Sequence, residues 1–163
     1  MLRFRYYSSQ TNKIYTIFMI QHAIERLAFL CDTIPALLRQ ISPADFAHKP
    51  HPDKWSKKEV IGHLIDSAAN NHQRFVRGQF EDTPNILYQQ NHWNTYSYHQ
   101  NIDGDQIISF WALYNKQLLE IIKCMPDEML LRTVETNAVH TIAFLFEDYV
   151  AHAEHHLKQV VAY

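Results

Sequence analysis

Two histidines four residues apart, His152 and His156, stand in the run Ala151-His152-Ala153-Glu154-His155-His156 near the end of a 163-residue chain. On a helix this spacing puts both imidazoles on one face, about 6 Å apart along the axis. Both can then reach one metal ion, as the two histidines of HExxH do. They also follow the apolar residues Leu145 and Tyr149, so they fall on an inward stripe. Imidazoles there are costly unless something satisfies them. His155, three residues past His152, is the rival ligand, and phase with Leu145 and Tyr149 favours His156. A second segment sets His63 beside the stripe Val60-Leu64-Ser67, with Asp66 one turn further on. Asp66 could accept a hydrogen bond from a metal-bound His63, or ligate directly.

Other chemistries are thinly supported. The chain has 11 histidines. His22, His48, His51, His92, His99 and His140 are read as loop or surface residues, and His72 lies on the second helix, two turns or more from His63. Cys31 and Cys124 are far apart, match no CxxC pattern and have no histidine nearby in sequence, so both are expected to be buried free thiols. Three glycines exclude a Walker loop and a GxGxxG fingerprint. There is no GxSxG elbow. Two helices each carrying ExxH are absent as well, which disfavours a di-iron bundle. Glu147-Asp148 and Asp127-Glu128 read as ordinary helix-surface charge. A net charge of −2 and a pI of about 6.6 give no field for nucleic acid or an anionic membrane. No signal peptide and no run of ~18 apolar residues is legible, so a soluble, cytoplasmic protein is expected.

The elements that must position these side chains read as helices. Residues 1–18 show no clear period and are set apart as an N-terminal extension, or as sequence upstream of a second start at Met19. From there residues 19–163 form one domain. Ile20, Ala23, Ile24, Leu27, Leu30 and Cys31 recur at helical steps. Pro35 predicts a kink or restart near Thr33. Ser42-Pro43 caps a short turn, and Ser56-Lys57-Lys58-Glu59 is a capping box opening a second long helix that runs to about Gly78. Residues 79–103 make a long polar and aromatic connection, in which Trp93, Tyr96 and Tyr98 either wall a pocket or pack over the bundle. A third helix begins near Asp105 and stops at Pro126. Met129 to Val139 is a link, partly extended, and a fourth helix runs from Thr141 to the end. The fold class predicted is all-α: a four-helix bundle with a long crossover between helices 2 and 3.

Trp55-Ser56-Lys57-Lys58-Glu59-Val60-Ile61-Gly62-His63-Leu64-Ile65-Asp66 resembles the W-[ST]-x-x-[EQ]-[VI]-x-x-H-[LV]-x-D segment of the DinB-like superfamily. Tyr149 to Gln159 matches the H-x-x-H-H of its YfiT-type branch, which includes bacillithiol S-transferases. Arg74-Phe75, Tyr88…Trp93 and the Ile34-Pro35 to Asp45 region are also family-like, and the resemblance covers about residues 21–163. It implies a metal, zinc or nickel, held by His63, His152 and His156, with Asp66 orienting His63. It further implies a homodimer acting on a small molecule. Two features depart from the branch: Gln89-Gln90-Asn91-His92 replaces a stretch that often carries acids, and Gln159 replaces a further histidine. Three histidines leave a metal position open, the condition for catalysis. The reading favoured is transfer of a low-molecular-weight thiol to an electrophile, because no general base accompanies the site. Hydrolysis by activated water is the alternative, and a metal-stabilised binding or sensing bundle is a third.

Overall fold

The chain forms four long helices, and three of them start on a side-chain cap. In the computed structural model they are α1 (Leu2–Leu38), α3 (Lys57–Arg77), α5 (Gly104–Cys124) and α7 (Ile142–Leu157). Short helices α2 (Pro43–Ala47), α4 (Gln90–Tyr96) and α6 (Asp127–Leu130) lie between them. Strands β1 (Thr133–Glu135) and β2 (Val139–Thr141) form an antiparallel hairpin. Residues 20–163 are described in full, so the segment 1–18 lies outside the residues whose side chains are described.

Ser56 and Glu59 satisfy each other's backbone amides at the start of α3, at 3.1 and 2.8 Å, which is the capping box read from sequence. Asp103 caps α5 and Thr141 caps α7 through their side chains. Such caps are each worth ~1 kcal/mol. Pro35 does not restart α1. The helix continues through it, with Arg39 N–H donating to the Pro35 carbonyl at 3.2 Å and Ile34 and Leu38 buried on either side. Packing outweighs the one hydrogen bond that proline removes. The fourth helix ends at Leu157 rather than at the terminus. The extended link is the β-hairpin.

The four long helices form the bundle: α1 packs on α5 and α7, and α3 packs on the same two. The core has two adjoining parts. One is built round Leu27, Phe75, Leu118 and Phe146, with Phe75 edge-on to both Phe146 and Tyr149. The other gathers Ile61, Leu64, Trp111, Ala153 and Leu157. Tyr149 is buried and donates to Asn115 Oδ1 at 2.5 Å, so its hydroxyl is satisfied inside the bundle. Cys31 is buried, and burial pushes its thiol up to about 12. Cys124 is exposed, against expectation, because it closes α5 where the helix leaves the core. Among the described residues no helix is long and apolar enough to cross a membrane.

The crossover from Gly78 to Asp103 is pinned at both ends. Near its start Ile86 N–H donates to the Glu135 carbonyl and Glu135 N–H to that of Pro84, so the segment lies along β1. Near its end Asn94 donates to the Glu59 carbonyl at 2.9 Å, and Lys58 Nζ donates to the Ile102 carbonyl at 2.8 Å. Gln100 bonds Ser56 Oγ and the Ala47 carbonyl. These bonds hold the crossover against the first turns of α3, the helix that carries His63.

Candidate metal centre

His63 points from the second turn of α3 into the groove between α3 and α7, and it is fully buried. His152 and His156 come from successive turns of α7 and are partly exposed, so they sit at the groove's edge rather than in the core. His63 Nε2 lies 3.2 Å from His152 Nε2. The ring centroids are 4.9 Å apart for His63 and His156, and 4.6 Å for His152 and His156. One ligand nitrogen from each of the three falls within 4.8 Å of the others. Helix pitch accounts for the α7 pair, and α3–α7 packing brings in the third.

The electrostatics suit a cation. Burial, with the neighbouring imidazoles adding to it, drives the pKa of His63 down to about 3. Burial and His156 bring His152 down to about 4, against a smaller opposing pull from Asp148. His156 is also lowered, first by burial. All three are therefore neutral at pH 7, with lone pairs free to bind a metal. The Nδ1 atoms of His63 and His156 are buried without a hydrogen-bond partner. The His63 ring is steadied instead by Trp55, whose ring centroid is 4.9 Å away. Trp55 and His156 also line a cleft of about 620 Å³ with Pro50 and Asn91, which opens the site to solvent. Three convergent neutral imidazoles with an open side fit a divalent metal.

His155, the rival, is exposed on the outer side of α7. Its Nε2 accepts from Gln159 Nε2 at 2.9 Å, and it stands outside the triad. His72 pairs with the Tyr114 hydroxyl at 3.0 Å, away from the triad.

Asp66 does not make the bond expected of it. Its carboxylate is buried, but it accepts from Ser97 Oγ at 3.0 Å and from His99 Nε2 at 3.0 Å. It therefore anchors the crossover rather than His63, whose Nδ1 has no partner. His99, read as a surface residue, is 5 % exposed. Its ring stands on Gly62, where a Cβ would lie 2.2 Å from His99 Cγ. A glycine inside a strong helix often signals a close approach, and Gly62 carried that signal. Trp55 was legible only as part of the motif around His63.

Comparison with known proteins places these features in a family. The DinB superfamily profile matches residues 26–160. The chain is 23% identical over 137 residues to YfiT of Bacillus subtilis (strain 168), a protein named as a candidate metal-dependent hydrolase, and the match spans 79% of this chain and 77% of YfiT. It superposes on the YfiT structure, described as an unusual four-helix bundle topology, with a TM-score of 0.74 at 20% identity over 86% of this chain and 83% of that one. A DinB-like protein, YjoA, also from Bacillus subtilis, matches with a TM-score of 0.61 at 18% identity over 85% of this chain and 86% of that one.

Proposed function

The chain belongs to the DinB superfamily, and from that premise we propose that it is a metal-dependent enzyme that transfers a low-molecular-weight thiol to an electrophile. The observation that carries this is the set of three neutral imidazoles, His63, His152 and His156, meeting at the edge of an open cleft with no carboxylate in the group. A zinc or nickel ion held by them supplies the Lewis acidity that makes a thiol a thiolate at neutral pH. The chain's own residues do the rest. Burial keeps the imidazoles unprotonated, Trp55 fixes the His63 ring, and the crossover walls the substrate's side of the groove. Asp66, bonded to Ser97 and His99, acts by holding that wall in place.

Hydrolysis is the second reading. YfiT's name supports it. A homodimer acting in the cytoplasm belongs to the same proposal, with Phe110, Leu113 and Phe144 exposed and open to a second copy. Size-exclusion chromatography with light scattering tests the dimer.

The deciding experiment loads the protein with zinc, nickel or cobalt and follows two reactions side by side. One is thiol consumption with monochlorobimane across a panel of small thiols, and the other is release of p-nitrophenol from esters. Metal-dependent thiol consumption that disappears in His63→Ala supports transfer. Metal-dependent ester hydrolysis without it would replace transfer by the second reading, and neither activity would leave a binding or sensing bundle.

A further inference from the structure

We propose that the polar cavity beside the metal cleft is a second binding site, which takes the primary ammonium group of a small molecule with His99 Nδ1 as one of its acceptors. The proposal goes beyond the metal-centred reading and stands or falls separately from it.

The cavity, of about 380 Å³, lies between the loop that precedes α3 and the end of the crossover. Asp53 and Trp55 line it, and they also line the cleft that reaches His156, so the two adjoin. His99 belongs to its wall and is itself buried. The imidazole is fixed on two sides. Its Cγ and Cδ2 stand over Gly62, and its Nε2 meets Asp66 at 3.0 Å. The edge left to face the cavity carries Nδ1, which is buried and has no partner. The Asp66 carboxylate accepts this bond, as it accepts one from Ser97 Oγ. Nε2 therefore carries the proton, and Nδ1 of the neutral ring keeps its lone pair.

The rest of the wall has spent its donors in the same way. Lys49 Nζ donates to Glu59 Oε1 at 2.9 Å, Asn94 Nδ2 to the Glu59 carbonyl at 2.9 Å, Gln100 Nε2 to the Ala47 carbonyl at 2.6 Å and the Thr95 hydroxyl to the Asn91 carbonyl at 2.8 Å. The capacity these bonds leave over is acceptor capacity: Asn94 Oδ1, the Thr95 oxygen and the carboxylates of Asp53 and Glu59. Two carboxylates also stand against one cation, Lys49. A wall rich in acceptors and in negative charge selects a ligand that brings donors and positive charge. An ammonium brings three donors and no acceptor, and its bonds to carboxylates are charge-assisted. Among the described residues the cluster able to hold a metal is the triad, so this cavity suits an organic cation rather than a second ion. Tyr98, also in the wall, is held at φ 54°, a strained conformation for a bulky residue and one that ligand clamps tend to keep.

Benzylammonium and benzyl alcohol are matched probes, since both offer a ring to Trp55 and a donor, and the first alone carries the charge. Calorimetric titration of the zinc-loaded protein reads affinity, and long-range proton–nitrogen spectra of the histidine rings read the contact. Benzylammonium should bind about tenfold or more tightly, the scale of one charge-assisted bond, and should shift the Nδ1 resonance of His99. His99→Gln keeps an amide donor for Asp66 but places no atom at Nδ1, and should weaken benzylammonium binding about tenfold. Asp53→Asn, at an exposed residue outside the core, should cut the preference over benzyl alcohol about two- to fivefold. Chelator-treated protein should bind the amine as the loaded protein does, whereas loss of binding with the metal would put the amine on the metal and overturn the inference. Equal affinity for the two probes in the wild-type protein, no binding of benzylammonium, or an unmoved His99 signal would overturn it without need of any variant.

Discussion

Gly62→Ala should destabilise the protein, and should do the opposite once His99 is gone. A Cβ at residue 62 would lie 2.2, 2.3 and 2.6 Å from His99 Cγ, Cδ2 and Cβ. Carbon atoms pack at about 3.5–4.0 Å, so the ring must move by more than 1 Å. The atoms struck are at the base of the side chain, so a rotamer change at its tip gives no relief. Displacement costs ~1–3 kcal/mol of overpacking. It also breaks the 3.0 Å bond to Asp66, which as a charge-assisted bond between nearly buried groups contributes ~1.5–3 kcal/mol. Replacing a mid-helix glycine by alanine returns ~1 kcal/mol. The net expected loss is about 1.5–5 kcal/mol. In a His99→Gly background, which removes the Cβ as well as the ring, these clashes and the bond no longer exist, so Gly62→Ala should stabilise by up to about 1 kcal/mol. Urea titrations of the four proteins, followed by circular dichroism, measure both effects. A Gly62→Ala change within about 0.5 kcal/mol of wild type, or the same sign in both backgrounds, would refute the docking of the crossover on α3 by His99.

Three further outcomes are expected. Metal-free protein should lose about 2–4 kcal/mol between pH 7 and pH 5. Unfolded imidazoles take up protons from about 6.5 downward, whereas His63 and His152 hold off until about 3 and 4, so the unfolded state binds more protons in that window. His63→Ala should remove about half of this slope, and a flat profile in urea titrations would contradict the buried neutral triad. Tyr149→Phe leaves buried Asn115 Oδ1 without its donor and should cost about 1–3 kcal/mol by the same assay. Tyr98 is exposed in the left-handed region at φ 54°, so Tyr98→Gly should raise the melting temperature or leave it unchanged, whereas loss of several degrees would mean that its side chain matters.

Much of the fold was legible because it is written in local patterns. The capping box at Ser56, the stripes of α3 and α5 and the length of the crossover each report the structure around them. The α7 pair His152 and His156 was legible for the same reason, since helix pitch alone brings them together. What stayed hidden depends on contacts distant in sequence. His99 looks like any loop histidine until Asp66, 33 residues earlier, is seen to hold it. Asp66 looked like the natural partner of His63 because it lies one turn away, but its carboxylate turns to the crossover instead. Short strands pinned to the start of the crossover had no alternation long enough to read.

Metal content tests the central claim most directly. Untagged protein and its His63→Ala, His152→Ala, His156→Ala and His155→Ala variants are to be purified, equilibrated with zinc or nickel, desalted and measured by elemental mass spectrometry. About one ion per chain in wild type and His155→Ala, and almost none in the other three, is the result expected of a three-histidine centre. No bound metal in wild type, or equal loss on replacing His155, would contradict it.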